Sequence, residues 1–175
     1  DSSTSRGLGD VYKRQQFACI GLYKQIDPPI RHKIEKLIDN GYEQSALGTI
    51  DKENFPFVTK VVPIFFQEKV YVLLSDLSEH TKNITVNPVI SLYFAAQEDH
   101  KTKSNNARLT LQGHLRKLPL SKKEKDFKQI LEKHAQVDLG SELWAHFDDF
   151  NFYEFHEKRR LYIEGFAKAY EEIKD

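Results

Sequence analysis

The chain reads as an α+β domain that is mainly β: about six antiparallel strands wrapped into a small closed or nearly closed barrel, with flanking helices. Three observations lead there. Short runs of β-branched and aromatic residues recur along the chain, bounded by brief turns. Those turns suit hairpins rather than the long crossovers that parallel strands need. Helical patterns sit at the front, middle and back of the series, and closure of so many short strands removes exposed edges.

Asp27-Pro28-Pro29 marks the first stop, because proline fixes its own φ and restricts its predecessor. Ile30, Ile34, Leu37 and Ile38 then follow helical spacing, and Asn40-Gly41 closes that helix in the manner of a left-handed cap. The period changes to that of strands over Ser45 to Ile50, Phe57 to Phe66 and Val70 to Ser75, with Pro63 implying an edge or bulge. A short helix, Ser78 to Val86, ends at Asn87-Pro88 before a strand over Val89 to Ala95. A polar loop leads to a strand over Ala107 to Leu118, where Gly113 predicts a bulge. Ser121 and Glu124 have capping-box spacing ahead of a charged amphipathic helix, Lys122 to His134. A short helix near Glu142 to Phe147 and two strands, Asn151 to His156 and Arg159 to Ala169, complete the series.

The bulk composition narrows the function classes. Lys+Arg and Asp+Glu both number 26, so the formal charge is zero, which argues against a general nucleic-acid binder. A near-neutral chain offers little repulsion to self-association. One cysteine, Cys19, permits neither an intrachain disulfide nor a cysteine-built zinc site, and it fits a reducing cytoplasm. No apolar run is long enough to cross a bilayer, so no membrane partner is expected. Residues 1–15 are polar and aperiodic; they resemble a cloning or adapter scar, or a disordered tail, and the single domain is placed at 16–175. Zinc-hydrolase helix motifs, a P-loop, a Gly-x-Ser-x-Gly elbow and a dinucleotide fingerprint are all lacking.

A set of ordered segments carries a resemblance. They are Ala46 to Asp51, Pro56 to Thr59, Leu73 to Ile84, Asn87 to Leu92, Ala107 to Gly113, the Asp149-Phe150 pair with Tyr153, and Arg160 to Tyr170. Together they resemble the pyridoxamine 5'-phosphate oxidase-like FMN-binding split barrels, in the branch of haem-utilisation proteins of the HugZ and HutZ type. That resemblance implies a homodimer of six-stranded antiparallel split β-barrels with haem or FMN held between subunits.

Candidate site residues follow from both sources. Ser75 to Asn83 passes from a strand end into a helix start, where unpaired amides favour an anion. Ser75, Ser78, Thr81 and Asn83 supply neutral groups there, and His80 and Lys82 supply charge; the plainer alternative is an N-cap with solvated neighbours. Thr59 and Lys60 lie mid-strand, where the resemblance places flavin or phosphate contacts; Lys60 equally fits a solvent-facing lysine. Arg108 is expected near the cofactor's acidic edge, or in a strand-end ion pair. In the haem-degrading branch a histidine after a Gly-Phe-Gly stretch ligates iron. Here the stretch is Gly165-Phe166-Ala167 and the aligned residue is Tyr170, a possible tyrosinate ligand or a packing residue.

Three functions are therefore carried forward. One is a haem-binding, haem-utilisation protein, with oxygenase opening of the porphyrin as its candidate activity. Another is an FMN-dependent oxidoreductase. The last is a non-enzymatic module that binds a cofactor or a protein partner.

Overall fold

The computed structural model describes residues 23–99 and 101–174, so the expectations for residues 1–15 and for Cys19 lie outside the described residues. Its strands are β1 (Lys24–Gln25), β2 (Gln44–Ile50), β3 (Pro56–Lys60), β4 (Pro63–Phe66), β5 (Lys69–Ser75), β6 (Val89–Ala95), β7 (Arg108–Lys117), β8 (Phe150–Gly165) and β9 (Lys168–Ile173). The helices are α1 (Pro28–Lys36), α2 (Glu79–Val86), α3 (Lys125–Ala135) and α4 (Ser141–Trp144). The fold is α+β and mainly β, as the sequence predicts. No helix among the described residues is long and apolar enough to cross a membrane.

All nine strands join one sheet. The path β9-β8-β7-β6-β2-β3 is antiparallel throughout, and β1 adds to β9 in parallel. The long β8 replaces the two final strands expected from the sequence. Its first half pairs with β5 and its second half with β9, while β7 accompanies both halves. The register slips between Gln112 and Gly113, which is the bulge predicted at that glycine. A side chain there is impossible: a Cβ would stand 2.1 Å from the His156 carbonyl oxygen.

Helix α1 begins as its sequence requires. Asp27 caps it by accepting a hydrogen bond from the Ile30 amide at 2.9 Å, with Pro28 inside the first turn. It buries Ile30 and Ile34 and runs on into a wider helical turn, Leu37–Gly41, where Asn40, with a φ of 60°, takes the left-handed conformation expected of the Asn-Gly pair. Helix α3 starts later than the capping-box pattern suggested. The Glu124 carboxylate does receive the Ser121 amide at 2.6 Å, but residues 122–124 form turns and the helix opens at Lys125.

Apolar residues at alternate strand positions point inward. Leu47, Leu92, Phe94, Leu109 and Leu111 are fully enclosed in the main core. A second cluster lies beneath α3, where Phe127 and Ile130 meet Ile64, Tyr71 and Phe152. Each such side chain contributes about 1.5–3 kcal/mol through burial.

The strand expected over 57–66 is two strands. β3 pairs with β2, then the chain changes partner at Val61-Val62 and β4 pairs with β5. Side chains satisfy the backbone at that change. The carbonyls of Val61, Val62 and Pro63 accept hydrogen bonds from the Ser45 hydroxyl, His134 Nε2 (3.0 Å) and the Tyr42 hydroxyl (2.8 Å). Tyr42 is braced edge-on against Phe94, and burial pushes its phenol up to about 12.

Candidate cofactor site

A cavity of about 200 Å³ opens where β3 and β5 part. Its walls come from the strand break (Lys60, Val61, Val62), the end of β5 (Leu73, Leu74, Ser75) and the start of α2 (Ser78, His80). Asp138 and Phe150 complete it. Four residues singled out in the sequence, Lys60, Ser75, Ser78 and His80, are thus brought together.

Each arrives for a local reason. Lys60 ends β3 on the same sheet face as Val58, and neither is covered. Ser78 occupies the N-cap position of α2, yet its hydroxyl makes no capping bond. His80 is half-buried; its Nε2 is sealed from solvent and has no hydrogen-bond partner. Desolvation holds its imidazole below the ordinary histidine range, so the ring is neutral at pH 7.

The electrostatics of the rim are mostly acidic. The Ser75 hydroxyl donates to Asp149 and accepts the Leu77 amide at 3.1 Å. Beside it, Asp76 accepts hydrogen bonds from Lys117 (2.7 Å), Asn151 (2.9 Å) and Tyr153 (3.0 Å). Partial burial alone would raise the Asp76 carboxyl, but the bonds from Lys117, Tyr153 and Asn151 prevail and hold it below the usual range. Burial, with Asp76 as acceptor, drives the Tyr153 phenol strongly upward. Glu79 in the first turn of α2 pairs with Lys82 at 3.6 Å.

Next to the cavity lies an aromatic shelf. Trp144 stacks on Phe150 with centroids 6.0 Å apart and planes 20° from parallel, and Phe147 adjoins both. Trp144 and Phe147 are 43% and 49% exposed.

The other expected residues are employed elsewhere. Thr81 and Asn83 turn into the core; the Asn83 amide donates to Thr49 Oγ1 at 3.0 Å. Thr59 takes the inward side of β3, opposite Leu47, while Lys60 takes the outward one. Lys82 is exposed and bound to Glu79. Arg108 lies outside the cavity, its guanidinium donating to the carbonyls of Ser104 (2.9 Å) and Asn106 (3.2 Å). Tyr170 sits on β9 facing Tyr162, with ring centroids 6.3 Å apart, and packs on the main core rather than lining the cavity.

Sequence reasoning missed Asp138 at this site. Its side chain accepts the Gly140 amide at 3.1 Å in the turn after α3, and Asp-x-Gly is a visible turn signal. Nothing in that signal places the turn against a distant strand break.

Comparison with known proteins agrees with the resemblance read from the sequence. The haem oxygenase HutZ of Vibrio cholerae is 26% identical over 133 residues, spanning 71% of each chain. The structure of Campylobacter jejuni ChuZ superposes with a TM-score of 0.75 at 20% identity, over 86% of this chain and 62% of that one. A haem-binding protein from Mycobacterium smegmatis gives 0.73 at 17% identity, over 85% of this chain and 60% of that one. Residues 46–174 match the β-barrel family named for CREG, and because that match takes in most of the chain, the protein belongs to the CREG β-barrel family.

Proposed function

We propose that this protein binds haem in the cavity beside α2 and serves haem utilisation as a homodimer. The observation that carries the reading is the cavity itself. It joins an unpartnered imidazole, a lysine and an exposed aromatic shelf at one break in the sheet. The residues fit the group. The shelf of Trp144, Phe147 and Phe150 suits the apolar face of a porphyrin. The Lys60 ammonium has no ion pair among the described residues and suits a propionate. Bound haem would supply iron-centred redox chemistry, whereas the chain supplies binding, orientation and exclusion of water.

Haem is favoured over FMN by the charges around the cavity. Asp138 lines the cavity and Asp149 accepts from the Ser75 hydroxyl at its edge, while the nearby cations Lys82 and Lys117 are already paired with Glu79 and Asp76. The Ser75 hydroxyl is committed to Asp149 rather than free to donate.

Cavity size supports a second copy. About 200 Å³ is below the ~300–1,000 Å³ of sites that enclose a cofactor. A partner's surface would complete the enclosure. Lys60 shares its sheet face with Val58, Ala46, Gly48 and Tyr93, through the registers of β3, β2 and β6. Val58 and Tyr93 are exposed there and the small residues leave a flat surface. On this reading β2, the interrupted β3–β4 path, β5, β8, β7 and β6 make the six-stranded split barrel of one subunit.

Titration with hemin and with FMN, read by absorption and by sedimentation, tests the proposal. A Soret band saturating at one haem per subunit of a dimer is expected. Saturable flavin binding without a specific haem band would overturn it in favour of an oxidoreductase, and silence with both would favour a non-enzymatic module.

A further inference from the structure

We propose that the cavity between the β4–β5 turn and α3 is a second binding site, one that takes a small primary amine with an apolar body. It shares no lining residue with the cofactor cavity, and the two lie toward opposite ends of β5. The inference therefore goes beyond the haem reading and stands apart from it.

The cavity holds about 270 Å³, and its walls are of two kinds. Phe66, Leu118, Leu120 and Ile130 supply apolar surface. Polar groups come from β5, from β8 and from the first turn of α3.

Tyr71 on β5 is the first of these. Only 6% of the residue is exposed, and its ring packs with Ile64, Phe127 and Phe152 in the second cluster. A buried tyrosine hydroxyl ordinarily finds a partner. This one makes no hydrogen bond among the described residues, and it is not among the polar atoms sealed from solvent, so it opens into the cavity that its residue lines. Phenylalanine would fill the same space with no hydroxyl to satisfy. Burial, the largest influence, raises the phenol above its ordinary value, so it is protonated at pH 7 and its oxygen accepts as well as donates.

The charges set the sign of the ligand. Asp126 and Glu154 line the cavity against a single cation, Lys69. Glu154 is buried, and both its oxygens stand 3.0 Å from the Lys69 ammonium, with His156 Nε2 at 3.6 Å from one of them. Asp126 makes no side-chain hydrogen bond or ion pair among the described residues. Its place in the first turn of α3 favours its charge through the helix dipole but leaves its oxygens open. With Lys69 committed to Glu154, the cavity keeps one uncompensated carboxylate near one open phenol. An ammonium satisfies both, by donating to the Asp126 carboxylate and to the Tyr71 oxygen, whereas an anion would meet Asp126 unopposed. The volume, below the ~300–1,000 Å³ of sites for larger ligands, limits the apolar part to a ring or a short chain.

The test is titration of the whole chain with benzylamine, and with benzyl alcohol and benzoate as its neutral and anionic counterparts, read by amide NMR shifts. Benzylamine should give saturable shifts confined to the residues around Phe66 to Tyr71, Leu118 to Ile130 and Glu154. The alcohol and benzoate should bind about tenfold or more weakly than the amine. Asp126→Asn and Tyr71→Phe should each weaken the amine about tenfold or more. Glu132→Gln removes the same charge from an exposed position on α3 outside the cavity, and should leave binding unchanged. Benzoate or the alcohol binding as well as benzylamine overturns the proposal on the wild type alone, whether or not a variant folds. Unchanged binding in both Asp126→Asn and Tyr71→Phe also overturns it, as does an equal loss in Glu132→Gln, which would reduce the effect to general surface charge.

Discussion

The β6–β7–β8 wall and the β3–β5 break belong to one sheet but are held by different forces. Along the wall, strands pair residue by residue, and Leu92, Leu109 and Leu111 fill the interior behind them. At the break, ladder bonds give way to Ser45, His134 and Tyr42 reaching for main-chain carbonyls. Among the described residues, three buried polar atoms without partners, His80 Nε2, Thr81 Oγ1 and His134 Nδ1, belong to α2 and to the histidine that holds Val62. The wall is held by its ladder, whereas the break leaves polar atoms sealed beneath it without a partner. A site built where a ladder stops costs local stability and gains exposed chemistry.

The largest effect should come from the wall. Leu111→Ala removes a fully buried side chain between paired strands and should cost about 2–5 kcal/mol. Urea unfolding measures it, and hemin affinity of the remaining folded fraction should be unchanged. A loss under about 1 kcal/mol would mean that the wall is not the stable half.

Ser45→Ala probes the break with little change in volume. It strips the Val61 carbonyl of its side-chain donor and should cost about 1–3 kcal/mol. Because Val61 lines the cavity, hemin binding should weaken along with stability. Equal stability loss with untouched binding would separate the break from the site.

His134 gives the break a pH dependence of its own. Burial, the largest influence, lowers its pKa below the ordinary 6.5, outweighing Asp138 and the Val62 carbonyl. The unfolded chain then binds more protons, so stability is full above about pH 6.5 and falls as pH drops below it. His80 is shifted in the same direction by desolvation. His134→Gln keeps a donor for Val62 and should flatten the stability profile between about pH 6.5 and 5. An unchanged slope would assign the acid sensitivity to His80.

The wall was the legible half. Alternation from Val89 to Ala95 and from Ala107 to Leu118 fixed both strands within a residue or so, and Gly113 marked the bulge. Local periodicity is enough where each residue's environment is set by its own strand. The break was only half legible. Pro63 warned of an irregularity, but a change of pairing partner depends on β2 and β5, which no local pattern reports. The segment Ser75 to Asn83 was recognised as a unit, yet its members divide by helical phase. Ser78 and His80 meet the cavity, while Thr81 and Asn83 face inward. Arg108 and Tyr170 were assigned through the resemblance, and what occupies their side chains is visible only in three dimensions.

The smallest effect should come from the acidic rim that borders both regions. Lys117, at the end of β7, pairs with Asp76 just past β5, and both are substantially exposed. Exposed pairs of this kind contribute about 0–1 kcal/mol, so Lys117→Ala should change stability at pH 7 by less than about 1 kcal/mol. Its acid behaviour is more telling. Partial burial opposes ionisation of Asp76, and the Lys117 contact is the largest influence lowering it. That stabilisation is present above about pH 4, where the unfolded carboxyl is ionised, and is lost as pH falls through the lower folded value. Without Lys117 the folded value rises, so the loss should begin at a higher pH and become less sensitive to salt. Urea unfolding from pH 3 to pH 7, at low and high ionic strength, measures both. A penalty as large as that of Leu111→Ala would show that the rim's ion pair, rather than the aliphatic wall, holds the sheet together at the cavity.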